Sequence, residues 1–267
     1  FVLLCTHLEL VLQLMKILLK KATLIDPKSA FHYSTKDILI TNGIITAIED
    51  NIDGEAAEMI TRNNLHVSRG WFDSSICFGE PGYEERETLD NGLSTAGLSG
   101  FSQIALNPNT NPVIDNQSAV YFLKQAASNT ATQIAPIASF SKKQEGKQLT
   151  ELYDLQQSGA IAYGDYKKPI ENAELLKIGL QYAQRLNGLI LSTPADRNVG
   201  NKSGVHEGKV STRNGLSATP TLSETLQIQR DLAVLEYSGG KLHIPCISSA
   251  EAVELIRNGK KKGLQVT

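Results

Sequence analysis

Three side chains that could bind a metal ion each lie at or near the end of an apolar run typical of a β-strand. They are Cys77, Asp165 and Cys246. Thiolates and carboxylates are zinc ligands, and the carboxyl ends of parallel strands meet at one side of a fold, so these residues could form a Cys₂Asp zinc site. The alternative is structural. The cysteines would then be small, buried, unreactive side chains, and Asp165 would bond turn amides before Pro169. We favour the structural interpretation.

The histidines add no second metal motif. His206 is followed by Glu207, but a second histidine four residues further on is missing, so we interpret His206 as part of a solvated loop. His243 lies in a predicted strand and is interpreted as a hydrogen-bonded structural residue. Lys260–Lys262 end a predicted helix, where positive charge suits the helix dipole.

The stretch from residue 70 to 116 predicts a strand, a helix and a second strand. The apolar run Trp71 to Phe78 ends at the turn Glu80-Pro81-Gly82. Leu89, Leu93 and Ala96 then follow with helical spacing, and a second apolar run ends before Asn107. Two strands joined through a helix in this way are parallel.

The same alternation continues to the end of the chain. Together with its crossover helices it predicts an α/β protein built as a (β/α)₈ TIM-type barrel over residues 69–267, incomplete, with about seven strands and truncated before strand 8. On periodicity alone, an open doubly wound sheet is the alternative. Strands are predicted at 71–78, 101–107, 132–140, 159–166, 187–193, 241–248 and 264–267, and helices at 170–186, 222–235 and 249–261.

The N-terminal part has a different pattern. Residues 15–68 contain short alternating apolar runs, and Asn42-Gly43 between two of them is a strong hairpin signal, so we predict a small β-sandwich-like domain. Residues 1–14 are apolar but lack a starting Met, a basic region and a cleavage site. We interpret them as an upstream translation or cloning artefact before a natural start at Met15; a secretory segment is the alternative.

Composition excludes some partners. The net charge is −2, with Lys+Arg 26 and Asp+Glu 28, so no basic field favours nucleic acid. The three cysteines lie far apart in the sequence, which argues against a disulfide framework and for a reducing cytoplasm. No apolar run reaches the roughly 18 residues that would cross a membrane.

Two motifs carry a resemblance to a known family. The chain reads Asp73, then Glu80-Pro81-Gly82, and later the run Pro108 to Pro112. These stretches resemble the dihydroorotases of the amidohydrolase superfamily, which are zinc-dependent cyclic amidohydrolases of pyrimidine synthesis. Their pattern runs Asp-x-His-x-His-x-Arg-Glu-Pro-Gly and later Pro-Asn-Thr-Asn-Pro. The resemblance implies a TIM-type barrel beside a small β domain.

At the first strand, the residues that would do the chemistry differ. Ser75 and Cys77 stand where the family has two metal-binding histidines, and Gly79 stands at the substrate-binding arginine. Asn109 matches a position that helps to bind substrate in the family. An asparagine alone does not make a site.

Later strands show the same losses. Asp165 matches the bridging carboxylate of the family and is the one metal ligand retained, as a vestige. Thr193 stands at a ligand histidine on the fifth strand, and Cys246 stands at another on the sixth. The eighth-strand aspartate of the family falls beyond Thr267.

The resemblance therefore implies a dihydroorotase-like protein without a working metal centre. We predict no bound cofactor and a noncatalytic role, as in inactive homologues that assemble with aspartate transcarbamoylase, so that enzyme is the predicted partner in a homo- or hetero-oligomer. The alternative is an active cyclic amidohydrolase with an altered or absent metal site. A decaying gene, or an unrelated binding role in the barrel mouth, would also fit.

Overall fold

The computed structural model describes residues 15–54, 56, 58–200 and 204–267. The chain forms two compact units, Phe1–Gly70 and Trp71–Thr267. The interpretation of residues 1–14 as an artefact falls outside the described residues. Within the described ranges, no helix has the length and apolar character needed to cross a membrane.

The first unit is a five-stranded sheet with the order β3-β2-β1-β4, in which β5 also pairs with β1. The described strands form one sheet, so the second layer of a sandwich stays a prediction. Ala22, Leu24 and Ile38 form its buried core. The strands are β1 (Lys16–Ile25), β2 (Thr35–Thr41), β3 (Ile44–Glu49), β4 (Glu58–Thr61) and β5 (His66–Ser68).

The predicted Asn-Gly hairpin is confirmed. Asn42 and Gly43 have φ angles of 52° and 78°, and the flanking Thr41 and Ile44 are paired across the two strands. Two consecutive positive φ angles are what a tight hairpin turn between twisted strands requires.

The second unit contains a parallel sheet and the helices that connect its strands. The strands are β6 (Trp71–Ile76), β7 (Phe101–Leu106), β8 (Gln133–Ala138), β9 (Ala162–Gly164), β10 (Ile190–Leu191) and β11 (Leu242–His243). The helices are α1 (Leu89–Leu98), α2 (Gln117–Ala126), α3 (Leu152–Gln157), α4 (Ala173–Arg185), α5 (Lys209–Arg213), α6 (Thr221–Ser238) and α7 (Ala250–Lys261).

The strand order confirms the barrel class of fold. β6 to β11 lie side by side in chain order, and each neighbouring pair is parallel. A doubly wound sheet would reverse its order at a switch point, whereas a (β/α)₈ barrel adds strands in sequence. The predicted seventh strand is reduced to one parallel bridge, between Val266 and Leu242.

β9 and β10 begin later than predicted because the residues before them complete the preceding helices, and β11 covers only Leu242–His243 of the predicted strand 241–248. Gly159 has a φ of 109°, and its amide bonds the Gln156 carbonyl. Asn187 has a φ of 54°, and the Gly188 amide returns to Ala183. Left-handed residues of this kind close a helix by capping its last carbonyls.

The helical spacing of Leu175, Ile178, Tyr182 and Leu186 predicts one apolar face on α4, and this prediction needs a correction. Leu175 is buried, but Ile178 is 45% exposed, so the buried stripe is rotated from the predicted one. It includes Gly179, where an added Cβ would lie 2.3 Å from the Phe140 ring. The buried face of the helix therefore includes Gly179, which lies against the Phe140 ring. A pattern of large apolar side chains does not reveal a glycine in this position.

Candidate functional site at the mouth of the barrel

Four of the predicted site positions come together in space. Ser75, Asp165, Thr193 and Cys246 line one cavity of about 260 Å³ at the carboxyl ends of the strands. We call it the mouth cavity. Its other lining residues are Asn107, Gly164, Tyr166, Lys167, Leu191 and Pro245. The strand order brings the four predicted positions together although 171 residues separate the first from the last in the chain.

Asp165 is a buried lining residue of this cavity and is hydrogen-bonded to Ser141. It is 4% exposed, and its Oδ1 accepts a hydrogen bond of 3.0 Å from the Ser141 amide. The Ser141 hydroxyl donates to Oδ2. Burial raises the pKa of Asp165, against the hydrogen bonds from Ser141, which lower it. The predicted partners were turn amides before Pro169, but the carboxylate bonds a residue from the loop after β8.

Cys77 and Cys246, the cysteines within the described residues, are free thiols. Cys77 is half-buried and Cys246 is exposed, so the expectation that both are buried was wrong. The reason is that Cys246 follows the two-residue strand β11 and lies on the rim, where the sheet no longer covers it. Asn107 Nδ2 lies 3.8 Å from Cys77 Sγ.

Zinc, which the resemblance implies, does not fit these side chains. Serine and threonine hydroxyls replace imidazoles at two of the matched positions, and both oxygens of Asp165 already accept hydrogen bonds. Among the described residues, no group of three or more His, Cys, Asp or Glu side chains is placed to hold a metal ion. The hypothetical site of Cys77, Asp165 and Cys246 is therefore not assembled.

The backbone at position 79 leaves no room for a side chain. The Gly79 amide donates to Glu87 O at 2.9 Å, and the Gly79 carbonyl accepts from the Tyr83 amide at 2.9 Å. A Cβ at position 79 would lie 1.7 Å from Tyr83 O and 3.2 Å from the Arg86 Cβ. An arginine cannot occupy this conformation.

The two retained motifs pack against each other. The Pro81 carbonyl accepts a 2.9 Å hydrogen bond from the Asn111 amide. Gly82 has a φ of 96°, and a Cβ there would lie 2.1 Å from Asn111 O. Glu80 Oε2 accepts from the Leu89 amide at 2.8 Å and so satisfies a free donor at the start of α1.

Two asparagines follow β7 in this loop. Asn107 Nδ2 donates to Ser75 Oγ at 3.1 Å and to Ile76 O at 3.0 Å, and it thereby ties β7 to β6. Asn109, predicted as a vestigial substrate contact, does not line the mouth cavity. Its Oδ1 is buried and is the one such atom among the described side chains without a hydrogen-bond partner.

Tyr166 and Lys167 are mouth residues that sequence reasoning missed. Lys167 Nζ lies 5.1 Å from the centroid of the Tyr166 ring, within cation–π range. Burial and a hydrogen bond with Cys77 raise the pKa of Tyr166. A hydrogen bond with Tyr166 raises the pKa of Lys167, so the ammonium form is favoured.

A buried network on α6 supports two loops at the mouth. Ser192, beside Thr193, donates to Asp231 Oδ2 at 2.6 Å. Arg230 pairs with Asp231 at 2.6 Å and donates to Glu171 O at 2.9 Å. Burial raises the pKa of Asp231, and Arg230 opposes this shift.

His206 and His243 do not line the mouth cavity. His206 is exposed on the loop before α5, as expected of a solvated residue. His243 Nδ1 lies 2.8 Å from Thr267 Oγ1, which confirms a hydrogen-bonded structural role, and burial lowers its pKa.

A family model described as dihydro-orotase-like matches residues 66–252, which is more than half of the chain. The protein belongs to the dihydroorotase-like family. The resemblance seen in the two sequence motifs is thereby confirmed, and the family lies within the amidohydrolase superfamily.

Named relatives agree with this assignment. The dihydroorotase of Syntrophus aciditrophicus is 40% identical over 256 residues, which is 95% of this chain and 60% of the relative. That of Pelotomaculum thermopropionicum is 34% identical over 253 residues, again 95% of this chain and 59% of the relative. The chain thus spans about 60% of the length of these curated relatives.

Solved structures support the fold. The L-hydantoinase (dihydropyrimidinase) from Arthrobacter aurescens superposes with a TM-score of 0.72 at 18% identity, covering 94% of this chain and 57% of the hydantoinase. The D-hydantoinase from Bacillus sp. AR9 gives a TM-score of 0.72 at 18% identity, with 94% and 56% covered. At this identity the likeness shows the fold alone.

Proposed function

We propose that this member of the dihydroorotase-like family is noncatalytic and is retained for its fold. One observation carries the proposal. Four of the five positions that the family pattern assigns to metal ligands meet at one cavity, yet these four present two hydroxyls, a thiol and a carboxylate that is already hydrogen-bonded. A hydrolytic metal centre needs three or more ligands around an activated water, and these side chains do not supply them.

The retained motifs support this role because each has a structural task. Glu80 caps α1, Pro81 accepts a hydrogen bond from Asn111, and Gly82 allows the two loops to approach closely. Selection for the fold alone would keep these residues while the ligands change. The motifs therefore do not require a working site.

We propose aspartate transcarbamoylase, the preceding enzyme of pyrimidine synthesis, as the partner that the barrel supports in a hetero-oligomer in the cytoplasm. The support is the resemblance to inactive family homologues that assemble with this enzyme. Affinity purification of the tagged protein from its own cells, followed by mass photometry of the purified pair, tests this. A complex of defined mass supports the proposal, and a failure to associate at micromolar concentrations contradicts it.

The catalytic part of the proposal is tested by metal analysis of the complete protein, purified without chelators or added zinc. We expect zinc well below one equivalent and no hydrolysis of dihydroorotate. Stoichiometric zinc that is lost from a Cys246→Ala variant would contradict the noncatalytic reading.

An active cyclic amidohydrolase with an altered or absent metal site is the second candidate. One support is that a relative named dihydroorotase is 40% identical to this chain. The other is that the mouth cavity is lined by the thiol of Cys246, the phenol of Tyr166 and the ammonium group of Lys167. This candidate predicts hydrolysis of a cyclic amide or ureide that an Asp165→Ala variant loses. Undiminished hydrolysis by that variant would reject a role for Asp165.

A further inference from the structure

The hairpin turn between β2 and β3 brings an asparagine side chain and a glycine amide together at the surface. The backbone nitrogen of the residue after an asparagine can attack the side-chain amide carbon and close a five-membered ring. A following glycine favours this attack because it has no Cβ to hinder it. Asparagine precedes glycine at five positions of the chain: Asn42, Asn91, Asn187, Asn214 and Asn258. Their surroundings in the structure differ.

At the hairpin turn, the attacking nitrogen is free. Gly43 is exposed, and a Cβ built on it would meet nothing within 4 Å. Among the described residues, the Gly43 amide donates no hydrogen bond. The nitrogen can therefore approach the Asn42 side chain without first losing a hydrogen bond, and there is room for the ring that would form.

The glycine amides of the other four pairs are hydrogen-bonded. The amides of Gly92, Gly188 and Gly215 each donate to a backbone carbonyl three to five residues earlier, at 3.0, 2.9 and 3.1 Å. Gly259 is buried in α7, where its amide belongs to the helical hydrogen-bond ladder. At these four positions, a local opening must precede the attack.

The carbon that would be attacked is also activated at the hairpin. The Met15 amide donates to Asn42 Oδ1 at 3.0 Å, and the Asn42 amide donates back to Met15 O at 2.9 Å. Attack on Cγ moves an electron pair onto Oδ1, so a donor at this oxygen stabilises the charge that develops there. By contrast, Asn214 is bonded through its Nδ2 to Val210 O at 2.8 Å.

We propose that Asn42 is a site of spontaneous deamidation. The Gly43 nitrogen forms a bond to Asn42 Cγ and loses its proton, the bond from Cγ to Nδ2 breaks, and ammonia leaves with that proton. Water then adds to either carbonyl of the resulting succinimide. The bond from that carbonyl to the ring nitrogen breaks, the nitrogen regains a proton, and the product is aspartate or isoaspartate. The inference is independent of the mouth cavity and of the proposed function.

The two products have different effects on the hairpin. Isoaspartate routes the main chain through Cβ, which lengthens the two-residue turn and disturbs the pairing of Thr41 with Ile44. β3 pairs with β2 alone among the described strands, so it depends on this turn. Aspartate leaves the main chain unchanged. Formation of isoaspartate therefore loosens β3, whereas formation of aspartate only adds a negative charge.

Asn187 is the matched control within the chain, since it is exposed and has a φ of 54° against 52° for Asn42. The full chain is incubated at neutral pH in ¹⁸O-labelled water, and incorporation at each asparagine is followed by peptide mass spectrometry. Asn42 should react at least about tenfold faster than Asn187, whose glycine amide must first break its hydrogen bond. In denaturant the two rates should converge. Equal rates in the folded chain, or a difference that persists in denaturant, would overturn the proposal.

Substitutions at Met15 test the activation of the side chain. Met15→Pro removes the N–H that bonds Oδ1 and should slow the reaction at Asn42 about fivefold, whereas Met15→Ala retains the N–H and should not. The same rate in both variants would refute the part assigned to the Met15 amide.

Hydrogen exchange tests the consequence for the hairpin. The isoaspartate fraction of aged protein should lose protection in β3, and a fresh Asn42→Asp variant, whose main chain is normal, should keep it. Full protection of β3 in the isoaspartate fraction would contradict the proposed loosening.

Discussion

At the scale of single residues, Asp165 illustrates how a matched motif position can have a different role. Its two hydrogen bonds with Ser141 join the loop after β8 to the end of β9. A buried carboxylate requires such donors because an unsatisfied charge in the interior is costly. The residue is therefore explained by the fold without any metal.

This role predicts the effect of a Ser141→Ala substitution. Loss of the hydroxyl leaves one oxygen of a buried carboxylate without its donor, and we expect a decrease of about 1–3 kcal/mol in the free energy of unfolding. Denaturant titration measures this decrease. Ser128→Ala, at an exposed serine of the same unit, is the control and should change stability by less than about 0.5 kcal/mol. Equal effects of the two substitutions would show that Asp165 does not depend on Ser141.

Gly79 supports a second prediction, which concerns restoring the family's substrate-binding arginine at this position. Because a Cβ at this position would lie 1.7 Å from Tyr83 O, Gly79→Arg should force the turn apart and destabilise the protein by about 1–3 kcal/mol or more. The thermal midpoint should fall, and dihydroorotate should give no stabilisation. Gly204→Ala is the control, since a Cβ there meets nothing within 4 Å. A Gly79→Arg variant of normal stability that binds dihydroorotate would refute this.

The candidate site could be predicted from the sequence only in part. Ser75 lies near the end of β6, and Asp165, Thr193 and Cys246 follow later strands, so the order of the strands brings the four positions together. The hydrogen bond from Ser141 to Asp165 could not be predicted, because it depends on how a loop from another strand folds back. The steric clash that a side chain at position 79 would make with Tyr83 could not be predicted either, because it depends on a backbone path that residue types do not specify.

At the scale of elements, α6 organises the loops of the mouth from behind. Asp231 and Gln227 lie one turn apart on its buried face and are linked at 3.2 Å. Gln227 also donates to Ile170 O at 3.3 Å. One helix therefore fixes the end of β10, through Ser192, and the turn after β9.

An Asp231→Ala variant tests whether this hydrogen-bond network stabilises the two loops. Removing the carboxylate leaves Ser192, Gln227 and Arg230 without their shared acceptor, and we expect a loss of about 2–3 kcal/mol, less than for a fully buried ion pair because Arg230 reaches solvent. Hydrogen exchange should rise in the β9–α4 turn and at residues 192–193. Glu236→Ala is the control on the same helix, at an exposed carboxylate that pairs with Lys262. Unchanged exchange at the two loops in Asp231→Ala would contradict this role.

The elements themselves were largely predictable, and the errors have local causes. Apolar runs mark β6, β7 and β8 to within two residues of their ends. β9 and β10 were predicted to begin too early because left-handed residues extend the preceding helices into the same apolar runs. β11 was also overestimated, since only Leu242–His243 of the apolar run pair as a strand. The buried face of α4 was displaced because Gly179, the residue nearest Phe140, carries no hydrophobic signal.

At the scale of the whole molecule, each of the two units contains buried aspartates, and their pKa values are shifted in opposite directions in the two units. Burial works to raise the pKa of Asp37 in the first unit, but hydrogen bonds from Lys20 and from the Ile52 and Lys21 amides outweigh it and lower the pKa. In the second unit, burial prevails and raises the pKa values of Asp165 and Asp231. The ordinary value of an aspartate is near 3.8.

These shifts predict opposite responses to pH. A lowered pKa in the folded state means that Asp37 stabilises the first unit above the ordinary value, and that this stability is lost as pH falls through the folded pKa. A raised pKa means that Asp165 and Asp231 favour the fold when protonated, and that this stability is lost as pH rises through their folded values. As the pH falls through the folded pKa values of Asp165 and Asp231 towards the ordinary value of 3.8, proton uptake by these two groups should therefore stabilise the second unit. His243, whose pKa is lowered, opposes this effect, and the contribution of Asp37 to the first unit stays unchanged until the pH falls below 3.8.

Separate probes for the units distinguish these responses. Trp71, the one tryptophan of the chain, belongs to the second unit and reports its unfolding by fluorescence, while hydrogen exchange of the paired β1 and β2 amides reports the first. The isosteric variants Asp165→Asn and Asp231→Asn should flatten the pH dependence of the tryptophan transition, because they remove the groups that bind protons in the fold. Asp37→Asn should leave that transition unchanged and instead weaken protection of β1 and β2 at neutral pH. A tryptophan transition whose slope persists in both Asp165→Asn and Asp231→Asn would mean that other groups govern the stability of the barrel.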